Sequence, residues 1–288
     1  MRTAAGWLGR ILRLHKGTLG LTIVSAYLVA AIFAPLLTPH DPVKQNMARY
    51  MRPPSWSHPL GTDDFGRDLF ARILYGARIS MLIAFGASSL GLLIGAALGL
   101  TAGFYGRWWD AATMRLIDLV LSFPSLILAI AIAIVVGQGV VNLILAVGVY
   151  SVPMFARLAR ISTQQVRAQE YVLAARSTGA SDLRVIARYV VPNIAASLLV
   201  VWTLRMGLVV LTASALSFLG LGVQPPTPEW GAMLAPAREY LRTSPGLMVY
   251  PGLAIVGLAM GFNLLGDAMR DVLDPRMRGR MGQQYSIG

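Results

Sequence analysis

Polar and apolar residues along this chain segregate into blocks. Six apolar blocks, at about 17–38, 79–103, 116–136, 140–157, 193–221 and 246–267, are separated by polar stretches. A helix rises about 1.5 Å per residue, and a bilayer's hydrocarbon core takes about 20 mostly apolar residues to cross. Each block is long enough or nearly so; the second carries no charge after Arg78 and reads "MLIAFGASSLGLLIGAALGL" from Met81 to Leu100. The pattern predicts an all-α polytopic membrane protein with six transmembrane helices. Residues 1–16 would form an N-terminal segment, 17–38 the first span, 39–78 a loop, 79–270 a core of five helices and 271–288 a tail. The first block is too long for a cleaved signal, and no small-residue cleavage pattern follows it.

Composition agrees: 56% of the 288 residues are hydrophobic and 13% charged, about half the charge of a soluble domain. With no cysteine there is no disulfide or thiol chemistry. His15, His40 and His58 match no metal-ligand spacing, so no metal and no cofactor is expected. The net charge is +12, and its placement sets the orientation. With a cytoplasmic N-terminus, the basic residues at 2, 10, 13, 16, 107, 115, 157, 160, 167, 176, 184, 188, 270, 276, 278 and 280 share the inside. Those at 44, 49, 52, 67, 72, 78, 238 and 242 lie outside, a bias of two to one. Positive residues favour the inner face, so both termini are expected to be cytoplasmic. The basic charge is then a signature of anionic membrane lipid and partner protein, not of nucleic acid.

Two polar stretches have structure of their own. In 39–78, Thr62 or Asp63 is placed to cap a short amphipathic helix with Leu69, Ile73 and Leu74 on its apolar face. Between the fourth and fifth blocks lies "EYVLAARSTGASDLRVIARYVVPN", residues 170–193. It divides into a helix over about 168–178, ended by Gly179 at a left-handed C′ position, and a second helix capped by Ser181 or Asp182. Leu183, Ile186, Ala187 and Val190 follow helical spacing, and Pro192 suits the first turn of the next span. The product is a helical elbow with small residues (Ala174, Ala175, Gly179) at its bend and arginines opposite its apolar side. Such an elbow either lies passively on lipid or transmits a push from a cytoplasmic protein into the spans.

The Ala174–Ala175 pair, Gly179 four residues later and Pro192 thirteen beyond that resemble the "EAA" loop of bacterial ABC-importer permeases. "HPLGTDDFGRDLFARILYGARIS" (58–80), "DLVLSFPSLILAI" (118–130), "LSFLGLGVQPPTPEWGAML" (216–234) and "FNLLGDAMRDVLDPR" (262–276) narrow the likeness to the dipeptide/oligopeptide/nickel permeases, C-type subunit. The resemblance covers nearly the whole chain in order. It implies a bacterial inner-membrane location and a cytoplasmic coupling helix in the loop 158–192, docked on an ATPase through Glu170, Leu173, Ala174, Ala175, Gly179, Asp182 and Pro192. It also implies a homologous permease partner, two ABC ATPase subunits or domains, and an extracytoplasmic solute-binding protein. The implied substrate is a di- or oligopeptide, with nickel or glutathione as alternatives. Leu173 stands where the family usually has Glu, with Glu170 three residues earlier, and Tyr189 stands where His is usual. The Pro-rich loop 221–246 with Glu229 and Trp230 is either a plain connector or a seat for the binding protein; the resemblance favours the seat.

The chain carries no motor. A P-loop needs Lys directly after Gly, and Lys16 and Lys44 follow His15 and Val43. No carboxylate lies deep in any span, as an ion-driven relay would require; Asp118 and Asp267 sit near span ends, where capping or pairing with Arg115 or Arg270 accounts for them. A pump so built needs ATPase partners. A stand-alone secondary transporter or channel would transport without them, and a membrane scaffold would not transport at all. Pro124, Pro153 and the glycines at 86, 91, 95 and 99 mark flexible points or close helix packing. Arg205, inside the fifth span, is expected to face the translocation path or a partner span, because facing lipid would cost about 2.5–3.5 kcal/mol or more.

Overall fold

The structure, a computed structural model, describes residues 9–273. Among them there is no β-strand, only an isolated bridge between Thr62 and Asp68. The helices are α1 (His15–Leu37), α2 (Leu69–Tyr105), α3 (Arg107–Leu121), α4 (Ser125–Val136), α5 (Val140–Arg167), α6 (Glu170–Ser177), α7 (Asp182–Phe218), α8 (Trp230–Ala237) and α9 (Gly246–Leu273). Five of them are long and apolar enough to cross a membrane.

The third span departs from the expected straight helix over 116–136. It is two helices, α3 and α4, bent by 92°, and Pro124 stands at the N-cap of the second. Proline disfavours helical backbone at the residue before it and has no N–H to continue the ladder. The pair still carries the chain across the bundle. Arg167, at the end of α5, donates from Nη1 to the Phe104 carbonyl near the end of α2 at 2.7 Å. At the start of α5, the Gly139 N–H donates to the Gly222 carbonyl at 3.0 Å. The two long helices therefore run parallel, and α3 plus α4 make the return journey. Pro153, by contrast, is buried within an unbroken α5.

Small residues build the parallel α2–α5 seam. A Cβ on Gly95 would lie 2.5 Å from the Val152 carbonyl oxygen, and one on Gly91 2.7 Å from the Ser151 Cβ. Gly91, Gly95, Gly99 and Gly103 recur every four residues, so one stripe of α2 meets the backbone of α5 directly. This is the packing reading of the glycines. α1 is fastened to α9 in the same way, through Gly20 and Gly261, while Leu19, Leu28, Ile32, Phe33 and Leu36 face outward. Apolar side chains on the outside are stable where lipid replaces water.

The α2 helix also starts earlier than expected. The expected separate amphipathic helix starting at Thr62 or Asp63 is not formed: Asp68 is the cap, accepting from the Ala71 N–H at 2.7 Å. Leu69 and Leu74 are buried in the first turns of this 37-residue helix. The loop before it is braced by buried charge. Asp63 accepts from Arg67 Nε at 2.7 Å and lies 3.4 Å from Arg72 Nε, and Arg72 reaches the Pro42 carbonyl at 2.8 Å. Parts of the terminal segments 1–16 and 271–288, and the end of the 262–276 motif, lie outside the described residues.

Candidate functional site

The elbow lies at the end of the bundle where α2 finishes and α5 turns. Glu170 lies in the first turn of α6, where its charge complements the helix dipole. The helix stops as Gly179 predicts. Gly179 has φ +84°, its N–H donates to the Arg176 carbonyl at 2.9 Å, and the Ala180 N–H to the Ala175 carbonyl at 3.0 Å. That pair of bonds is the Schellman closure. Ser181 occupies the N-cap position of α7 without a side-chain cap bond, and Asp182 opens the helix.

Inside α7 the turn Ile186–Val190 is a π-turn. Pro192 cannot donate to residue 188 and its ring crowds that carbonyl; a wider turn relieves both. The extra residue rotates the packed face, so the expected stripe of Leu183, Ile186, Ala187 and Val190 is corrected. Val185 and Val190 are buried, Ile186 and Tyr189 half-buried, and Leu183 and Ala187 exposed. From Asp182 the helix then runs unbroken to Phe218.

The two faces of the elbow are sharply different. Val172 and Val185, at 0% exposure, join Phe104, Phe155, Ala159, Val190 and Ile194 in one apolar cluster. On the other face Leu173 is 53% and Leu183 76% exposed, Ala174, Glu170, Asp182 and Pro192 are exposed, and Ala175 is half-buried. A Cβ on Gly179 would meet nothing within 4 Å. Of the arginines, Arg184 and Arg188 point outward, but Arg176 does not, contrary to expectation. Its guanidinium lies 4.7 Å from the Phe104 ring centroid and donates to Asp182 Oδ1 at 3.3 Å, tying both elbow helices to the end of α2.

Other predicted residues take different places. Asp118 pairs with Arg157 at 2.6 Å instead of Arg115; Asp267 is exposed. Glu229 and Trp230 are not presented to an outside protein, because both are buried, at 1% and 0% exposure. Glu229 caps α8 by accepting from the Gly231 and Ala232 N–H groups at 2.9 and 2.8 Å. Burial pushes its carboxyl above the usual range, opposed by those two bonds. Trp230 donates from Nε1 to the Ile73 carbonyl at 3.0 Å and fills the space that Gly76 leaves on α2.

The fold also gathers residues that linear spacing kept apart. His40, His58 and Asp68 bring potential ligand atoms within 4.8 Å of one another. Their hydrogen bonds make this a brace. His58 Nδ1 faces Asp68 Oδ1 at 2.8 Å, its Nε2 faces Arg49 Nη1 at 3.0 Å, and His40 Nε2 faces the Ser57 carbonyl at 2.8 Å. A guanidinium is donor-only, so His58 Nε2 accepts from Arg49, and a cation already occupies the place a metal would take. Arg205 is buried, 9% exposed, against α5: its guanidinium lies 4.8 Å from the Tyr150 ring centroid, with Nη1 3.8 Å from Met154 Sδ. It is therefore packed within its own chain, on α5.

Comparison with known proteins adds an independent line. Residues 95–279 match the model of the family described as binding-protein-dependent transport system inner membrane component. Residues 10–54 match the N-terminal TM domain of oligopeptide transport permease C. The chain is 43% identical over 259 residues to the dipeptide transport system permease protein DppC of Alkalihalophilus pseudofirmus, covering 90% of this chain and 85% of that one. It is 44% identical over 273 residues to the glutathione transport system permease protein GsiD of Escherichia coli, covering 94% and 89%. Its fold resembles a chain of the inward-facing MetNI methionine ABC transporter, with TM-score 0.57 at 17% identity, covering 70% of this chain and 97% of that one.

Proposed function

Since this chain belongs to the family of binding-protein-dependent transport system inner membrane components, and is thus a multi-pass permease subunit of the bacterial inner membrane, we propose that it imports peptides and takes its drive at the elbow. The elbow end faces the cytoplasm, with both termini on that side. One of two ATPase subunits or domains seats against the face carrying Leu173, Ala174, Gly179 and Leu183, and the other serves the second permease. A second, homologous permease completes the path, and a solute-binding protein delivers from the opposite side.

One observation supports this most: an exposed face of small and apolar residues backed by fully buried Val172 and Val185. Apolar side chains held out into water invite a partner, and a well-packed back transmits motion instead of absorbing it. Because α7 is continuous from Asp182 to Phe218, a displacement of the elbow tilts a whole span. ATP binding shifts an equilibrium between two arrangements of the bundle by the difference in their affinity for the closed ATPases. With Leu173 in the usual Glu position, docking depends on apolar contact, supplemented by Glu170. The named relatives are permeases for a dipeptide and for glutathione, itself a small peptide, so a short peptide is the proposed substrate.

The test is reconstitution. The full complex in proteoliposomes takes up labelled dipeptide only with ATP, binding protein and both ATPases present. Uptake by this chain without an ATPase would overturn the proposal in favour of a stand-alone transporter.

A further inference from the structure

Midway along α7, two hydrogen-bond donors are buried with nothing to donate to. Arg205 lies thirteen residues from Pro192 and thirteen from Phe218, about 20 Å from either end of the span. Its Nε is fully buried without a partner, and so is the indole Nε1 of Trp202. The two residues are three apart, so they project from the same side of the helix. Trp202 packs edge-on to Phe85 of α2 at 4.9 Å, and Arg205 lies over Tyr150 of α5. Among the described residues the only acceptor at the guanidinium is the Met154 sulfur at 3.8 Å, a weak one.

This is an unusual way to leave a charge. Elsewhere in the chain the buried arginines are answered: Arg67 and Arg72 by Asp63. Arg205 has no carboxylate within ion-pair distance among the described residues, and its remaining surroundings are an aromatic face and a thioether. A buried guanidinium without an anion is strongly unfavourable. An ionisable residue at such depth ordinarily serves a pathway or a partner. Lipid headgroups cannot reach a point about 20 Å from both ends of the span. The guanidinium also lies near the surface: Met154, whose sulfur faces Nη1, is 46% exposed, and an unbranched thioether is readily displaced.

We propose that Trp202 and Arg205, floored by Tyr150 and covered by Met154, form half of an intramembrane carboxylate site whose anion comes from outside this chain. The guanidinium fork and the indole N–H suit a planar, two-oxygen acceptor. The carboxylate arrives either on the peptide in transit or on an acidic side chain of the second permease. The proposal rests on the transport reading above. It fails separately from it, because a wild-type complex that does not take up peptide at all would sink that reading before Arg205 is tested.

The experiment uses the complete complex with Arg205→Gln, Arg205→Met, Arg205→Lys and Trp202→Phe. Uptake of a dipeptide and of its C-terminal amide is measured with each at saturating binding protein, alongside thermal stability and retention of the second permease. If the substrate brings the anion, Arg205→Gln lowers the acid-to-amide uptake ratio about tenfold while assembly is unchanged, and Trp202→Phe lowers it less. If the second permease brings it, the ratio holds, but Gln and Met release that subunit and Lys largely restores it. Variants Gln and Met that assemble, melt and discriminate like wild type overturn the proposal. So does a complex that falls apart equally with Lys and Gln, since a carboxylate would accept from the ammonium.

Discussion

Arg176→Leu should loosen the elbow without unfolding the bundle. Among the described residues the side chain is the one polar link between both elbow helices and α2: it stacks on Phe104 at 4.7 Å and bonds Asp182 at 3.3 Å. At this partly exposed position the cation–π contact is worth about 1 kcal/mol. The pair with Asp182, whose side chain is largely exposed, adds about 0.5 kcal/mol. Leucine keeps some of the apolar cover, so a net loss of about 1 kcal/mol follows, a factor of about 5 in population. Val172 and Val185 remain buried, so the rest of the fold is untouched. Hydrogen exchange over residues 170–181 in the assembled complex should accelerate by that factor, with exchange in α2 and α5 unchanged. Uptake per ATP hydrolysed should fall while ATPase activity persists, because a looser arm wastes its stroke. Unchanged exchange together with an unchanged transport-to-hydrolysis ratio would refute the idea that Arg176 stiffens a lever.

Other consequences are equally concrete. Gly95→Leu forces α2 and α5 apart where the Val152 carbonyl already stands at 2.5 Å from a modest Cβ; overpacking costs about 1–3 kcal/mol, and the purified complex should melt lower. Gly252→Ala, where a Cβ would meet nothing within 4 Å, should melt unchanged. Asp63→Ala removes the carboxylate that Arg67 and Arg72 share and leaves Arg67 only the longer Asp64 contact at 3.7 Å; loss of a buried partner costs about 3–5 kcal/mol, and proteolysis should then cut first within 39–68. Burial and the neighbouring Asp63 push Asp64 above the ordinary carboxylate range. An acid whose folded pKa is raised binds its proton more tightly when folded, so its contribution to stability falls as pH rises from the ordinary range through the raised value. Asp64→Asn should flatten that fall in melting temperature measured from acid towards neutral pH.

The spans were legible because length and uninterrupted apolarity are all a bilayer demands. Their internal geometry was less so. Pro124 is visible in the chain, yet whether it kinks or breaks a span depends on the neighbours that receive the second half. The Gly179 stop was readable in full, since left-handed backbone nearly requires glycine. The rotated face of α7 was not, because a π-turn shifts register without any residue of its own; Pro192 was the available warning. Glu229 and Trp230 misled because an acidic residue and an aromatic in a Pro-rich loop look like a surface. Trp230 is buried by partners far away, Gly76 and Ile73, that no local pattern names, while Glu229 is turned onto the Gly231 and Ala232 N–H groups of its own helix. Likewise His40, His58, Asp68 and Arg49 meet only through loop folding. Arg205 was conspicuous as a charge in an apolar block, and Trp202 three residues before it was the overlooked companion.

The central claim is that one face of the elbow carries the drive, and site-directed crosslinking tests it most directly. The chain has no cysteine, so single cysteines at Leu173 and Gly179, with a control at fully exposed Trp56 in the opposite loop, report without background. In the intact complex, Leu173→Cys and Gly179→Cys should crosslink to an ATPase subunit and react with thiol reagents only from the cytoplasmic side, whereas Trp56→Cys reacts only from outside. Elbow cysteines that label from the extracytoplasmic side, or that never reach an ATPase, would contradict the account.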